Sequence, residues 1–463
     1  MGHIRAFQRK SQLFRRLFSQ LGYQKKQSIR EQILSATDGH SNITPTILDL
    51  VDRELIHSPC HPLNLIALKI KEYFSRPRPL FKSFEQIRQR FFASNPMCAT
   101  FQDANICFST YDSISPIVST YENFDALGIG SDHPARAPSD TYYINQNTVL
   151  RTHMTTHERR FLSQSPPSAP MAFILLGDVY RRDQVDSLHY PAFHQLEMVR
   201  RFGVEESTNF KLFSHSLSSA ERAHIYNKIS HIEKSKHLPL PQTLAILDMQ
   251  LELEGLISFV LQRDLPMRWQ ETEFPFTKPS QELEIGKKNE YIEILGSGLL
   301  TDHILGPSLS SNEGLPLAWA AGLGIERIAM FLYEIPDIRL FWSKDEKFLS
   351  QFRENGGACK FRPISKHPPI SRDISFWLPQ TYAADDGSFH FNSISELIRE
   401  KAGALVEKVS LIDQYLDTKK GRKSQCYRII FRSLERSLCD SEVNQILTAI
   451  KQDLAERLKV DVR

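Results

Sequence analysis

GDVYRRDQVDSLHYPAFHQLE, residues 177–197, is the stretch whose reading decides the fold. An apolar run, MAFILL (171–176), leads into it as a buried strand would, and Arg181, Arg182 and Asp183 follow at once. A loop rich in turn formers comes next (Asp186, Ser187, Pro191), and FHQLEMV then resumes as a second strand. The pattern predicts a hairpin with arginine on one arm and Phe193, Gln195 and Glu197 alternating on the other. Residues i, i+2 and i+4 of a strand share a face. One surface therefore offers an aromatic plate, an amide and a carboxylate opposite a guanidinium. Arginine grips phosphate bidentately, aromatic rings stack on bases, and Gln and Glu can hold an ammonium. An Arg-Arg-Asp alone would signify only surface ion pairs on a hairpin.

Working outward, strand and helix patterns continue without regular βαβ alternation. That predicts an α+β protein built on an antiparallel sheet. Neither GxGxxG nor GxxxxGK[ST] occurs, which argues against a Rossmann or P-loop nucleotide site. Upstream, residues 40–75 read as two helical pieces, with Asn42 or Thr44 able to cap the first. Residues 114–127 read as a strand and turn, and 128–140 as loop. Downstream, AILDMQLELEGLISFVLQR (245–263) reads as an amphipathic helix. Strand-type segments at 273–277, 282–286 and 290–295 lead to a glycine-rich turn, GSG (296–298), and a helix opens near Gly324. Residues 211–245 read as an irregular insertion with no functional signature.

A break near 350–362 (NGGACKFRP) sets off a tail. Its order is strand (372–378), helix (392–403), strand (405–416), strand (425–434), helix (441–458) and short strand (459–463). That is the ferredoxin-like plan. Lys419, Lys420, Arg422 and Lys423 cluster in the loop between its middle strands. Such a run is by default a solvated tip, but it can equally meet phosphate.

The net charge of +3 and pI near 8.4 permit a nucleic-acid partner without demanding one. The six cysteines form no CxxC, so neither a zinc knuckle nor a disulfide framework is indicated. No apolar run approaches the ~20 residues of a membrane span. Residues 1–30 carry eight Arg and Lys and no acid, with apolar residues near helical spacing. That is the composition of an organellar transit peptide. The expected division is 1–35 leader, 40–350 main domain and 360–463 tail domain.

The 177–197 string closely resembles motif 2 of class II aminoacyl-tRNA synthetases in its phenylalanyl form. THMTTH (152–157) resembles that family's Thr-His-Thr-Ser segment, and EFPFTKPSQELEI (273–285) its Phe-Pro-Phe strand. GLGIERIAM (322–330) with IPDIRLFW (335–342) resembles motif 3 and its continuation. Residues 360–463 resemble the anticodon-binding domain of the single-chain mitochondrial form. The resemblance implies a phenylalanine–tRNA ligase with ATP and Mg²⁺, acting on tRNA(Phe) as a monomer in the mitochondrial matrix or a plastid. It places Arg181 on the α-phosphate, Arg327 and Phe193 on either side of the adenine, and Asp183, His189, Tyr190 and Glu293 around ATP. Glu293 would also contact Mg²⁺. It assigns His153, Thr155, Thr156, His157, Glu158, Gln195 and Glu197 to the phenylalanine backbone, and Phe274, Phe276, Ala320 and Ala321 to its ring. Lys419, Lys420, Arg422 and Lys423 would meet tRNA. The tail should be dispensable for amino-acid activation.

Three positions depart from the family pattern: Thr155 stands for serine, Glu158 for glutamine, and Ala321 for an aromatic. Two other readings compete. A non-catalytic RNA-binding paralogue should have lost the motif arginines, yet Arg181 and Arg327 are both present. A ligase acting without tRNA would have no use for the tail.

Overall fold

The computed structural model describes residues 28–75, 108–166, 169–202, 238, 240–263, 265–287, 290–306, 317–354, 360–362, 367–379, 390–418 and 421–463. Strand β1 (Ser109–Tyr111) is followed by three short strands, β2 (Ile117–Ser119), β3 (Tyr143–Asn145) and β4 (Thr148–Leu150), which form a sheet of their own. The long strands are β5 (Met171–Tyr180), β6 (Ala192–Phe202), β7 (Met267–Phe274), β8 (Thr277–Lys287), β9 (Glu290–Leu300) and β10 (Leu317–Gly324). They join β1 in a seven-stranded sheet ordered β1-β5-β6-β10-β9-β8-β7. Every pairing in it is antiparallel except β1 with β5.

Residues alternating along these strands feed two cores. Ile174, Leu176, Leu196, Met198, Trp319, Ala321 and Leu323 face the larger one, which the helices Pro62–Ser75 and Leu240–Leu261 cover. Phe173, Leu175, Val179, Val199, Ala318 and Ala320 face the other. Leu240–Leu261 is not the amphipathic helix expected for 245–263. Besides the stripe Ala245, Ile246, Met249, Leu253, Leu256, Ile257 and Val260, the off-stripe residues Leu247, Gln250, Glu252 and Leu261 are buried, because the helix is enclosed between the sheet and Pro62–Ser75. Polar residues on it are bonded inward rather than to solvent: Gln250 meets Gln281 at 2.9 Å and Asp248 meets Arg200 at 2.7 Å.

The Gly-Ser-Gly at 296–298 is likewise not a turn but the middle of β9. A Cβ on Gly296 would lie 2.7 Å from the Phe274 ring, and one on Gly298 would lie 2.5 Å from the Pro279 carbonyl oxygen. Glycine here makes room for the neighbouring strands rather than for a bend.

Strands β11 (Ile370–Trp377), β12 (Val406–Asp417), β13 (Arg422–Phe431) and β14 (Asp461–Val462) form a second sheet ordered β12-β13-β11-β14. The helices Phe391–Ala402 and Asp440–Arg457 pack on one side of it. The strand-helix-strand-strand-helix-strand order is as read from the sequence. β12 lies on the open edge, and its residues Leu411, Ile412, Tyr415 and Leu416 are exposed. Its pairing to β13 shifts register twice.

The two sheets' domains touch through polar groups. Arg399 donates to the main-chain oxygens of Asp183 and Gln184, and its partner Glu396 accepts from Tyr142 Oη at 2.9 Å. The Asn392 amide donates to the Arg182 oxygen at 3.1 Å, and Val409 N–H to the Val185 oxygen at 3.0 Å. At the other end of the chain, Ser28 caps the helix Ile29–Ala36 with a capping box. That helix buries Ile33 and sets the N–H groups of Ile29 and Arg30 on Asp52. The last residues of the expected 1–35 leader are therefore docked, while 1–27 lie outside the described residues. So do 203–237, most of the insertion for which no function was read.

Candidate active site

The pocket opens where β6, β10 and β9 lie side by side and the turn after β7 folds over them. It encloses about 530 Å³, the size of a small-molecule site. Thr152, His153, Thr155, Arg181, Asp183, Gln195, Glu197, Phe274, Phe276, Glu293, Ala320 and Ala321 line it. The expected hairpin thus forms, with Gly177 opposite Gln195 and Tyr180 opposite Ala192. One detail differs: Arg181–Asp183 lie in the loop just past β5 rather than on the strand.

Arg181 is fixed at one point. Its Nε donates to the Thr152 carbonyl oxygen at 2.7 Å, and its guanidinium lies 5.3 Å from the Phe193 ring centre. Among the described residues its terminal nitrogens take no hydrogen-bond partner, so they remain free toward the pocket. Burial lowers its pKa and Asp183 opposes that shift; the residue keeps its charge at any physiological pH. Arg327 leaves the first turn of the helix Ile325–Tyr333 exposed. It contacts Glu293 through the main-chain oxygen at 3.1 Å and the carboxylate at 3.3 Å. Phe193 is half-buried on the same face of β6 as Gln195 and Glu197. Glu326, by contrast, is structural. It accepts from His194 N–H at 2.8 Å and meets His194 Nδ1 at 2.7 Å, which ties the helix to β6.

At the apolar end, Phe274 and Phe276 stack with ring centres 5.8 Å apart and planes 4° from parallel. Only Phe274 is in a strand; the two rings meet across the tight β7–β8 turn, where Phe274 pairs Thr277. Strand alternation separates the two alanines. Ala320 faces the pocket side, whereas the Ala321 side chain joins Trp319 and Leu323 in the main core. Ala321 thus borders the pocket while its side chain packs into the core, and the ring-pocket wall is supplied by Phe274, Phe276 and Ala320.

The polar end is built by the short helical turn Met154–His157. Gln195 Oε1 accepts from Met154 N–H at 3.2 Å, and Glu197 Oε2 accepts from Thr155 Oγ1 at 2.9 Å. Burial raises the Glu197 pKa to about 7, which the Thr155 hydroxyl partly offsets. Among the described residues neither ring nitrogen of His153 has a hydrogen-bond partner, and burial, reinforced by Arg181, lowers its pKa to about 3, so the ring is neutral.

Several expected residues stay outside the lining. Thr156, His157 and Glu158 lie behind it: the turn that presents Thr155 points them into the interior. His157 instead meets Arg151 Nη1 at 3.1 Å. His189 pairs with Asp186 at 2.8 Å, and Tyr190 stacks on Trp342 at 5.7 Å. The structure thus gives His189 and Tyr190 packing partners rather than the pocket. Lys419 and Lys420 lie outside the described residues. Arg422 pairs with Asp461 at 2.9 Å and lies 5.1 Å over the Trp377 ring.

The sequence reading missed Ser297, Thr277, Asp140 and Asn392, all of which border the pocket. Asn392 belongs to the tail and no local pattern could have placed it there. It brings the tail to the edge of the site for amino-acid activation, from which the tail was expected to stand apart.

As for metal, no group of three or more His, Cys, Asp or Glu side chains that could hold an ion occurs among the described residues. Glu293 is a single carboxylate at the pocket. That suits a Mg²⁺ carried by nucleotide phosphates, which needs only one or two protein carboxylates.

Comparison with known proteins agrees with this geometry. Residues 105–220 and 220–352 match the family described as tRNA synthetases class II core domain (F), and 365–463 match the ferredoxin-fold anticodon binding domain. The mitochondrial phenylalanine–tRNA ligase of Mus musculus is 37% identical over 435 residues, covering 92% of this chain and 86% of that protein. The chloroplastic/mitochondrial enzyme of Arabidopsis thaliana is 36% identical, with coverage of 94% and 85%. The mitochondrial enzyme of Saccharomyces cerevisiae is 33% identical, with coverage of 91% and 92%.

Proposed function

The chain belongs to the class II phenylalanine–tRNA ligases of the single-chain organellar type, and from that premise we propose how its pocket carries out the reaction. The enzyme activates phenylalanine with ATP and transfers it to tRNA(Phe), and its compartment is the mitochondrial matrix, with the plastid as the alternative. In the first step a phenylalanine carboxylate oxygen attacks the α-phosphorus of ATP, and the bond to diphosphate breaks. In the second, a ribose hydroxyl at the tRNA end attacks the acyl carbon and AMP leaves.

The observation that carries the assignment of roles is the placement of Arg181 between the two halves of the pocket, anchored at Nε and open at its terminal nitrogens. Charge develops on the α-phosphate oxygens during attack. A preorganised guanidinium there stabilises the transition state more than the ground state. Glu197 and Gln195 receive the ammonium, with Thr155 and His153 beside them. Phe274, Phe276 and Ala320 take the ring. The adenine lies between Phe193 and Arg327. Glu293 orients Arg327 and would hold a phosphate-borne Mg²⁺, which supplies charge neutralisation.

The working unit is one chain. Arg422 and Lys423, with Lys419 and Lys420 beside them in sequence, meet tRNA phosphates. A leader is cut upstream of Ser28. ATP–diphosphate exchange with phenylalanine, followed by charging of tRNA(Phe), tests the whole reading. Exchange that tyrosine or leucine drives better than phenylalanine would overturn it.

A further inference from the structure

Two carboxyl groups lie buried side by side at the polar end of the pocket. Glu158 is 0% exposed and Glu197 5%. Glu197 borders the cavity and accepts the Thr155 hydroxyl; Glu158 lies one layer deeper, and neither of its oxygens has a hydrogen-bond partner at full bonding geometry. Among the described residues no cation is paired with either acid; Arg181, which lines the same pocket, is anchored on the Thr152 oxygen. On its own helix, Glu158–Leu162, Arg159 is half-buried and Arg160 exposed. The packed helix Asp302–Leu305 brings Asp302 and His303, both exposed. His157 is turned to Arg151, and Arg201 is spent on the carbonyl oxygens of Leu162, Ser165, Pro166 and Ala169. Among the described residues no salt bridge reaches either acid.

Two uncompensated negative charges cannot share such a site; one carboxyl must keep its proton. We propose that Glu158 is carried as a neutral carboxylic acid whose proton is directed at Glu197, and that it thereby positions the Glu197 carboxylate to receive the ammonium of the amino acid. Glu158 is the member that keeps the proton for three reasons. It is the deeper of the two, it has no hydroxyl donor, and Glu197 is the charged group that acts on it most strongly. Burial, reinforced by Glu197, holds its pKa well above the usual carboxylate range. A protonated acid has the donor of an amide and no charge. The pair thus presents one negative charge to one ammonium. Glu158 is a positioning residue that works through Glu197 and does not itself touch the substrate.

The inference rests on the phenylalanine-activating reading above, so its test has an arm that does not. In the full-length, substrate-free protein at pH 8, infrared spectroscopy should show the C=O band of a protonated buried carboxyl, and Glu158→Gln should abolish it. In diphosphate exchange, Glu158→Gln retains a donor and should keep the KM for phenylalanine within about threefold of wild type, whereas Glu158→Met should raise it about tenfold or more, since a hydrogen bond to a charged group is lost. The KM for ATP should stay unchanged in both. Absence of the band from the wild-type protein would overturn the proposal, because Glu158 would then be ionised. A Glu158→Gln defect as large as that of Glu158→Met would overturn it as well, and so would a Glu158→Met variant with wild-type KM. If the methionine variant does not fold, the band and the glutamine variant still decide. Failure of phenylalanine to drive exchange in the wild type would remove the functional reading alone and leave the infrared result to stand or fall separately.

Discussion

Arg181 is aimed by a main-chain atom of another segment: its Nε donates to the carbonyl oxygen of Thr152 at 2.7 Å. Thr152 immediately precedes His153, so one peptide orients the residue for the phosphate and begins the turn that serves the amino acid. The two substrates are therefore registered against each other by backbone, which side-chain substitution does not erase.

Replacing Arg181 by alanine should lower kcat for diphosphate exchange by roughly 10²–10³-fold, as for loss of one preorganised donor at a developing charge, and raise KM much less. Arg181→Lys should recover little, since an ammonium has no Nε to hold the Thr152 oxygen. Steady-state exchange kinetics check both, and a near-wild-type kcat in the alanine variant would remove Arg181 from its role.

Ala320 and Ala321 are adjacent but face opposite sides of the sheet. Ala320→Gly should open the pocket to para-substituted phenylalanines. Ala321→Gly should leave selectivity alone and cost about 0.5–1 kcal/mol of stability, the usual effect of glycine inside a strand. An apolar ring pocket rejects an added hydroxyl by only about a hundredfold, so the wild type should misactivate tyrosine measurably. Exchange assays with both variants and a panel of analogues decide this.

Burial raises Glu197 from an ordinary value of 4.5 to about 7. An acid whose pKa rises on folding contributes stability that is complete below the unfolded value and fades as pH climbs through the folded one. The substrate-free protein should therefore lose Tm between about pH 4.5 and 7 through this group. Phenylalanine needs the ionised carboxylate, so its KM should fall over the same interval. Thermal shifts with and without phenylalanine at the two ends of that range should show greater protection at the upper end.

Asn392 and Arg399 bring the tail onto the loop that follows Arg181. Removing 360–463 should therefore depress diphosphate exchange as well as abolish tRNA charging. Asn392→Ala in the full chain should reproduce part of the exchange defect. Full exchange activity in the truncated protein would show that the loop keeps its shape unaided.

What could be read from the sequence was local. Strand period placed Phe193, Gln195 and Glu197 on one face, and the order of elements in the tail followed from apolar spacing alone. Errors arose where a neighbour distant in sequence decided the outcome. Gly296 is a glycine within a strand because the Phe274 ring leaves no room for a side chain, and Leu240–Leu261 lacks a solvent face because two layers enclose it. Ala321 is instructive in another way. Its direction was available from alternation, but the resemblance to an aromatic position directed attention to the pocket. Asn392 had no signal at all, since a contact spanning some two hundred residues leaves no trace in spacing.

The open edge strand β12 also affects how the protein behaves in a tube. Leu411, Ile412, Tyr415 and Leu416 crowd the end of an edge strand that, among the described residues, has no strand partner beyond the Val409–Val185 contact. Such edges template pairing with other chains. The two register shifts against β13 act as bulges that twist the edge and blunt this tendency without removing it. Colloidal stability rather than folding stability should therefore limit the concentration at which the protein can be kept. Ile412→Lys should lower light scattering on concentration and leave Tm unchanged.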